Sequence, residues 1–192
     1  KGKRSERMRC RKRSFLISVF VLIVLEFLFG VAAVATEESP AVIEQIFQKA
    51  KKDYLATNIQ SAAEQIKSGA AYMKKKAATA SAKGKEKLEE SARELDRLSD
   101  DVKSGAVKSV KTIENAFARA YYALARESHI GSTEFWLKRE KLRAGEALEA
   151  ANRHLEKAMA WAGQKAEEST KKVMRETADM AQNLKKKTRG FT

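Results

Sequence analysis

Residues 39–84 read SPAVIEQIFQKAKKDYLATNIQSAAEQIKSGAAYMKKKAATASAKG, and the spacing of small and apolar residues in this stretch decides the fold. They recur at Ile43, Ile46, Ala50, Leu55, Ile59, Ala62, Ile66, Gly69, Met73, Ala77 and Ala80. Steps of three and four put these positions on one face of an α-helix. One stutter falls near Tyr54 and Leu55. Ser39 and Pro40 open the helix, because serine caps helix N-termini and proline suits the first helical position. Gly84 is the expected stop.

A second stripe runs through Leu88, Ala92, Leu95, Ser99, Val102, Ala106, Val110, Ile113, Phe117, Ala120 and Leu124. Gly105 lies inside it. The stripe keeps its phase across Gly105, which favours one continuous or kinked arm. A turn at Gly105 is the other reading. His129-Ile130-Gly131-Ser132 marks the next break, with Ser132 as the cap of a third helix and Glu134 in its first turn. The third stripe is Phe135, Leu142, Gly145, Leu148, Asn152, Leu155, Met159, Ala162 and Ala166. Beyond Gly163 the pattern thins to Val173, Thr177, Met180 and Leu184, and the basic tail over 185–192 is expected to fray.

The expected fold class is therefore all-α. Three arms, near 41–83, 85–130 and 132–175, would each be roughly 65 Å long at about 1.5 Å per residue. Short glycine-containing links between them point to an elongated antiparallel up-down-up helical bundle, or to four helices if Gly105 is a turn. Residues 36–163 form the expected bundle, and 164–192 a helical extension with a frayed basic tail. No alternating apolar run or Asn-Gly or Asp-Gly turn follows Ala35, so nothing points to a sheet.

Composition agrees. The only proline is Pro40, as long uninterrupted helices require. The only cysteine is Cys10, so no disulfide or thiolate chemistry is available after it. The formal net charge is +14, but both signs alternate along the chain as on a solvated helix surface.

The segment before the bundle bears on localisation. Arg9, Arg11, Lys12 and Arg13 precede the apolar stretch Phe15–Ala35, which ends in Ala33-Val34-Ala35. A basic region, an apolar core and an A-x-A end make a secretory signal. Met8 would begin it, so 1–7 read as upstream residues and 8–35 as the signal peptide. The other reading is an uncleaved membrane anchor, since a spanning helix needs about 20 apolar residues. Glu26 within the stretch counts against that. Either way the domain is expected outside the cytoplasm, in the periplasm, the envelope or beyond. Nucleic acid is not an expected partner there.

Few residues offer chemistry. His129 and His154 are the only histidines, and neither belongs to a recognisable metal-ligand motif. There is no G-x-S-x-G and no glycine-rich phosphate loop. No catalytic residue, metal or cofactor is expected, and the chain reads as no enzyme. The candidate ligand or partner surface is aromatic: Phe117, Tyr121, Tyr122, Phe135 and Trp136, concentrated where the second and third arms would meet.

Residues 162–188, AGQKAEESTKKVMRETADMAQNLKKKT, resemble late-embryogenesis-abundant repeats and the amphipathic segments of apolipoproteins. The resemblance rests on composition and implies a helix that forms on a membrane or a partner. The function expected overall is a structural or protein-interaction module of the cell envelope, with a protein partner or self-association. The alternatives are binding to an anionic lipid surface, and a small-ligand carrier using the aromatic end.

Overall fold

A computed structural model describes residues 40–164 and 168–189. The residues expected to form the signal or anchor, the Ser39 cap, Ala166 and the last three residues of the tail lie outside the described residues. The described residues form six α-helices and no strand: α1 Pro40–Leu55, α2 Ile59–Thr79, α3 Ala82–Lys103, α4 Val110–Leu137, α5 Lys141–Ala162 and α6 Glu168–Arg189.

The helix ends differ from those the glycine pattern suggested. Four of them finish in the same hydrogen-bonded cap, in which two successive amides reach back to the last turn and one residue takes a left-handed conformation. Gly105 and Gly163 hold that position with φ of 73° and 68°. After Lys103 the amides of Gly105 and Ala106 bond to the carbonyls of Val102 and Asp101, at 3.0 and 2.8 Å. Gly105 is therefore a turn. The buried stripe resumes after it at Ile113, with Val110 half-buried. Ala106, counted in that stripe, is exposed.

The other two caps use residues that no glycine or spacing signal marks. Thr57 and Arg139 adopt φ of 60° and 62°. Asn58 N bonds to Asp53 O at 2.9 Å, and Glu140 N to Phe135 O at 2.9 Å. The stutter at Tyr54-Leu55 is thus a real break, and Leu55 is left 60% exposed. Conversely, no break occurs at 129–132. α4 runs straight through Gly131, and Ser132 is a buried mid-helix residue whose hydroxyl donates to Ala144 O at 2.9 Å. Gly84 does not end a helix either. It sits in the first turn of α3, and its amide donates to Oγ of the cap Ser81 at 3.1 Å.

Packing follows the stripes closely. Ile43, Phe47 and Ala50 of α1 are buried, with Ala62, Ile66, Ala70 and Met73 of α2. Leu88, Leu95 and Val102 of α3 and Ile113, Phe117 and Leu124 of α4 complete the same core. Contacts between α1 and α4 join Glu44 to Tyr121, Phe47 to Phe117 and Lys51 to Glu114. Numbers rise on one helix as they fall on the other, so the two are antiparallel. Ser99 with Ala63, and Lys74 with Asp96, give the same sense for α2 and α3. The helices α1 to α4 thus close a ring of neighbours, α1 on α2, α2 on α3, α3 on α4 and α4 back on α1.

α5 packs along α4, and its Trp161 joins the core. Its buried face is Ala144, Gly145, Leu148, Ala151, His154, Ala158 and Trp161: Gly145 and Leu148 are the expected positions, and beyond them the face shifts by one, so Leu155 and Met159 are only half-buried. α6 lies on α5, where a Cβ at Gly145 would stand 2.8 Å from Ala181 O. The backbone approach there needs glycine. Val173 and Met180, expected on the buried side of this segment, are exposed, and Ala181 is buried instead.

The caps yield a paired expectation. Nothing lies within 4 Å of a Cβ placed on Gly105, so Gly105→Ala should lose about 1 kcal/mol through backbone strain alone. Thr57→Gly, on an exposed residue in the same conformation, should gain up to about 1 kcal/mol. Urea unfolding of the two variants measures both signs.

Candidate functional site

The densest chemistry sits where α1, α4 and α5 meet. Phe47 stacks on Phe117 with ring centroids 3.9 Å apart and planes within 5°. Trp161 stands edge-on to Phe117 at 5.1 Å, and Tyr121 edge-on to Phe47 at 5.7 Å. Rings favour such edge contacts because their rims are positive and their faces negative. The helical spacing supplies them: residues 117 and 121 are one turn apart on α4 and face residues 44 and 47 on α1.

Glu44 is the polar centre. Its Oε2 accepts from the Tyr121 hydroxyl at 2.7 Å and from the Trp161 indole N–H at 3.4 Å. Its Oε1 accepts from Gln48 at 2.8 Å and lies 3.5 Å from the Lys157 ammonium. Partial burial pushes the carboxyl pKa up. The bonds from Gln48 and Tyr121, the Lys157 charge and the Trp161 bond outweigh that, and the net shift is downward. Tyr121 is pushed the other way, chiefly by burial and then by its bond to the Glu44 carboxylate, so its hydroxyl stays protonated.

His154 extends the cluster. Its ring lies 6.1 Å from that of Tyr121, and Nδ1 lies 3.4 Å from Ser128 Oγ. Burial, with the neighbouring Arg153 charge, lowers its pKa to about 4, against a backbone bond to Leu124 that raises it and a further lowering by Lys76. A buried neutral imidazole of this kind packs as a core residue.

The five aromatic residues singled out from the sequence do not form one surface. Phe117 and Tyr121 are fully buried in the cluster just described. Tyr122 points away from it into a groove between α3 and α4, beside Arg119, Arg126, Glu94 and Lys87. Phe135 and Trp136 lie at the far end of α4, about 20 Å or more along the helix from Tyr121 at 1.5 Å per residue. The expected grouping depended on a chain reversal at 129–132, and α4 is straight there. The sequence reading passed over Phe47, Glu44 and Trp161, which complete the cluster. Phe47 directly follows the half-buried Ile46 that the stripe had counted. A stripe one residue wider finds it.

The α3–α4 groove encloses about 240 Å³. Its charges satisfy one another: Lys87 pairs with Glu90 at 2.6 Å, and Arg119 with Glu94. Ser91 Oγ, buried behind it, has no hydrogen-bond partner among the described residues. A second cleft of about 430 Å³ lies between α5 and α6, bordered by Met159, Met174, Glu156, Lys171 and Arg175. No group of three His, Cys, Asp or Glu among the described residues could hold a metal ion. No helix among them is long and apolar enough to cross a membrane.

Two measurements follow from the cluster. Tyr121→Phe leaves Glu44 without its shortest partner and should cost about 1.5–3 kcal/mol in urea unfolding, the range for a hydrogen bond to a charged group. His154 gives a pH dependence. Its folded pKa lies below its unfolded value of 6.5, so the unfolded chain binds more protons between the two. Stability is full above about 6.5 and falls as pH drops toward 4. His154→Gln should flatten the profile between pH 5 and 6.5, where carboxylates contribute little. No protein-family model matches this chain, and neither a search of curated proteins nor one of solved structures finds a match.

Proposed function

We propose that this chain is an exported, non-enzymatic helical-bundle protein, working as a structural or protein-interaction module in the cell envelope. The observation that carries the reading is the closure of the Glu44 cluster. Glu44 is half-buried and has both oxygens taken up by Tyr121, Trp161, Gln48 and Lys157, whereas an acid or base used in catalysis needs a free face toward a substrate. Export is supported by the basic, apolar and A-x-A parts of residues 8–35.

On this reading the molecule works through its helix faces. The bundle presents rows of charged residues with small residues between them. Alanine-rich layers bury little area each, so a second copy or a partner that covers such a face adds useful burial. The small-ligand reading has less support. Phe47 packs on both Phe117 and Tyr121, and Trp161 on Phe117, so these rings cover one another.

Expression of the full chain in a bacterial host, followed by fractionation and N-terminal sequencing, tests the proposal. The expected product lies outside the cytosol and begins at Thr36. A soluble, full-length product in the cytosol would overturn it. Sedimentation equilibrium of the exported product should show mass rising with concentration; a monomer at every concentration would remove self-association from the account.

A further inference from the structure

α4 outruns the helices beside it. The α2–α3 link meets it at Glu127, whose carboxylate accepts from Ser81 N and Oγ at 2.9 and 3.0 Å. Residues 128–137 continue past that point, about 15 Å of helix at 1.5 Å per residue. The start of α5 packs on this overhang through Ser132 and Ala144. The last turns of α6 lie on the start of α5, with Leu184 and Lys185 against Gly145. The result is a tip made of three helix ends.

The tip combines apolar and cationic groups in an unusual way. Trp136 is 53% exposed and Leu137 76% exposed, side by side at the end of α4. Lys138, Arg139 and Lys141 follow, all exposed and without an ion pair among the described residues, and Lys186 is exposed near the end of α6. Arg143 lies over the Phe135 ring at 4.1 Å and pairs with Glu140 at 2.6 Å. Glu134 and Glu140 are the carboxylates nearby in sequence, so the tip is net positive.

Folding alone does not account for these charges. Lys138 and Arg139 at the end of α4 complement its dipole. Lys141 does the opposite: it stands in the first turn of α5, which holds no acidic residue, while Arg143 beside it is paired with the N-cap Glu140, whose side chain makes no cap bond. Cations at a helix N-terminus are disfavoured unless an anion is brought to them. The surface is a projecting tip rather than a groove, so it suits a flat, extended anionic partner.

We propose that this tip docks on an anionic lipid surface. Trp136 and Leu137 enter the interface between headgroups and acyl chains, while Lys138, Arg139, Lys141 and Lys186 meet the lipid phosphates. The bundle would then stand on the membrane by one end, with its sides free for the partner contacts proposed above. The N-terminal end of α1 points the same way, since Glu44 near its start meets Tyr121 and the overhang lies beyond. Docking does not require the 15–35 stretch, whether that stretch is cleaved or retained.

The test uses residues 36–192, which hold the whole core cluster of the described residues, from Val42 to Ala162, with circular dichroism as the folding control. The fragment is mixed with vesicles of phosphatidylglycerol and phosphatidylcholine, or of phosphatidylcholine alone, with brominated chains as quencher. Trp161, the only other tryptophan, is buried and out of reach. Expected are co-sedimentation with the anionic vesicles only, quenching that disappears in Trp136→Phe, and at least tenfold weaker binding in Lys138→Glu/Arg139→Glu or in high salt. Equal binding to both vesicles, binding unchanged in the charge-reversed variant, or no binding would overturn the proposal. So would a Trp136-dependent dimer that forms without lipid. The full chain reconstituted in the same vesicles should show Trp136 quenching under the same conditions; quenching without regard to lipid charge or salt would assign the contact to the apolar segment and not to the tip.

Discussion

The contact between α1 and α4 holds the architecture together. Phe47 lies flat on Phe117, and Glu44 takes the Tyr121 hydroxyl one turn away. α2, α3 and α4 each adjoin the next in sequence through a short link, so their pairing is local. α1 alone must reach across to α4 to complete the ring, and it has few side chains to do so. Ile43, Phe47 and Ala50 are its fully buried apolar residues. With three such residues in a short helix that also packs along α2, the aromatic stack and the carboxylate bonds make the contact with α4. Burying Glu44 in part is tolerable because Tyr121, Gln48, Trp161 and Lys157 surround it.

The same contact explains why the aromatic residues do not line a pocket. A core in which alanine alternates with larger residues sets uneven spacing between helix axes, and bulky side chains must fill the wide places. Phe47, Phe117, Tyr121 and Trp161 fill one such layer. Elsewhere the helices come close instead, as where Gly145 admits the backbone of α6. Large rings in one layer and a glycine at a close backbone approach are two solutions to one spacing problem. Surface charge is mostly consumed in pairs within a turn or across neighbouring helices, such as Lys51 with Glu114 and Lys185 with Glu149. The tip of α4 and α5 stands apart because cations unpaired among the described residues sit beside the exposed Trp136 and Leu137.

The helical class and most buried positions could be read from spacing alone, because a 3.6-residue period survives wherever a helix has a core face. The ends could not. Gly105 and Gly163 hold left-handed caps as glycine should, whereas Thr57 and Arg139 hold the same cap without glycine's advantage, and nothing local marks them. Gly131 and Gly84 carry the opposite lesson: glycine inside a helix or in its first turn leaves no sign of its place. The error at 129–132 spread to the aromatic residues, since a chain reversal there would have gathered Phe117, Tyr121, Phe135 and Trp136. Glu44 was unreadable as a site residue because its partners come from three helices, Tyr121 and Trp161 being far away in sequence.

A double-mutant cycle on Phe47 and Phe117 addresses the central claim most directly. Each phenylalanine is replaced by leucine singly and together, and unfolding free energies are measured in urea. Stacked rings whose attraction exceeds simple burial should show a coupling of about 0.5–1.5 kcal/mol. Effects that add within about 0.3 kcal/mol would mean that the two rings do not meet, and that α1 is attached to the bundle in some other way.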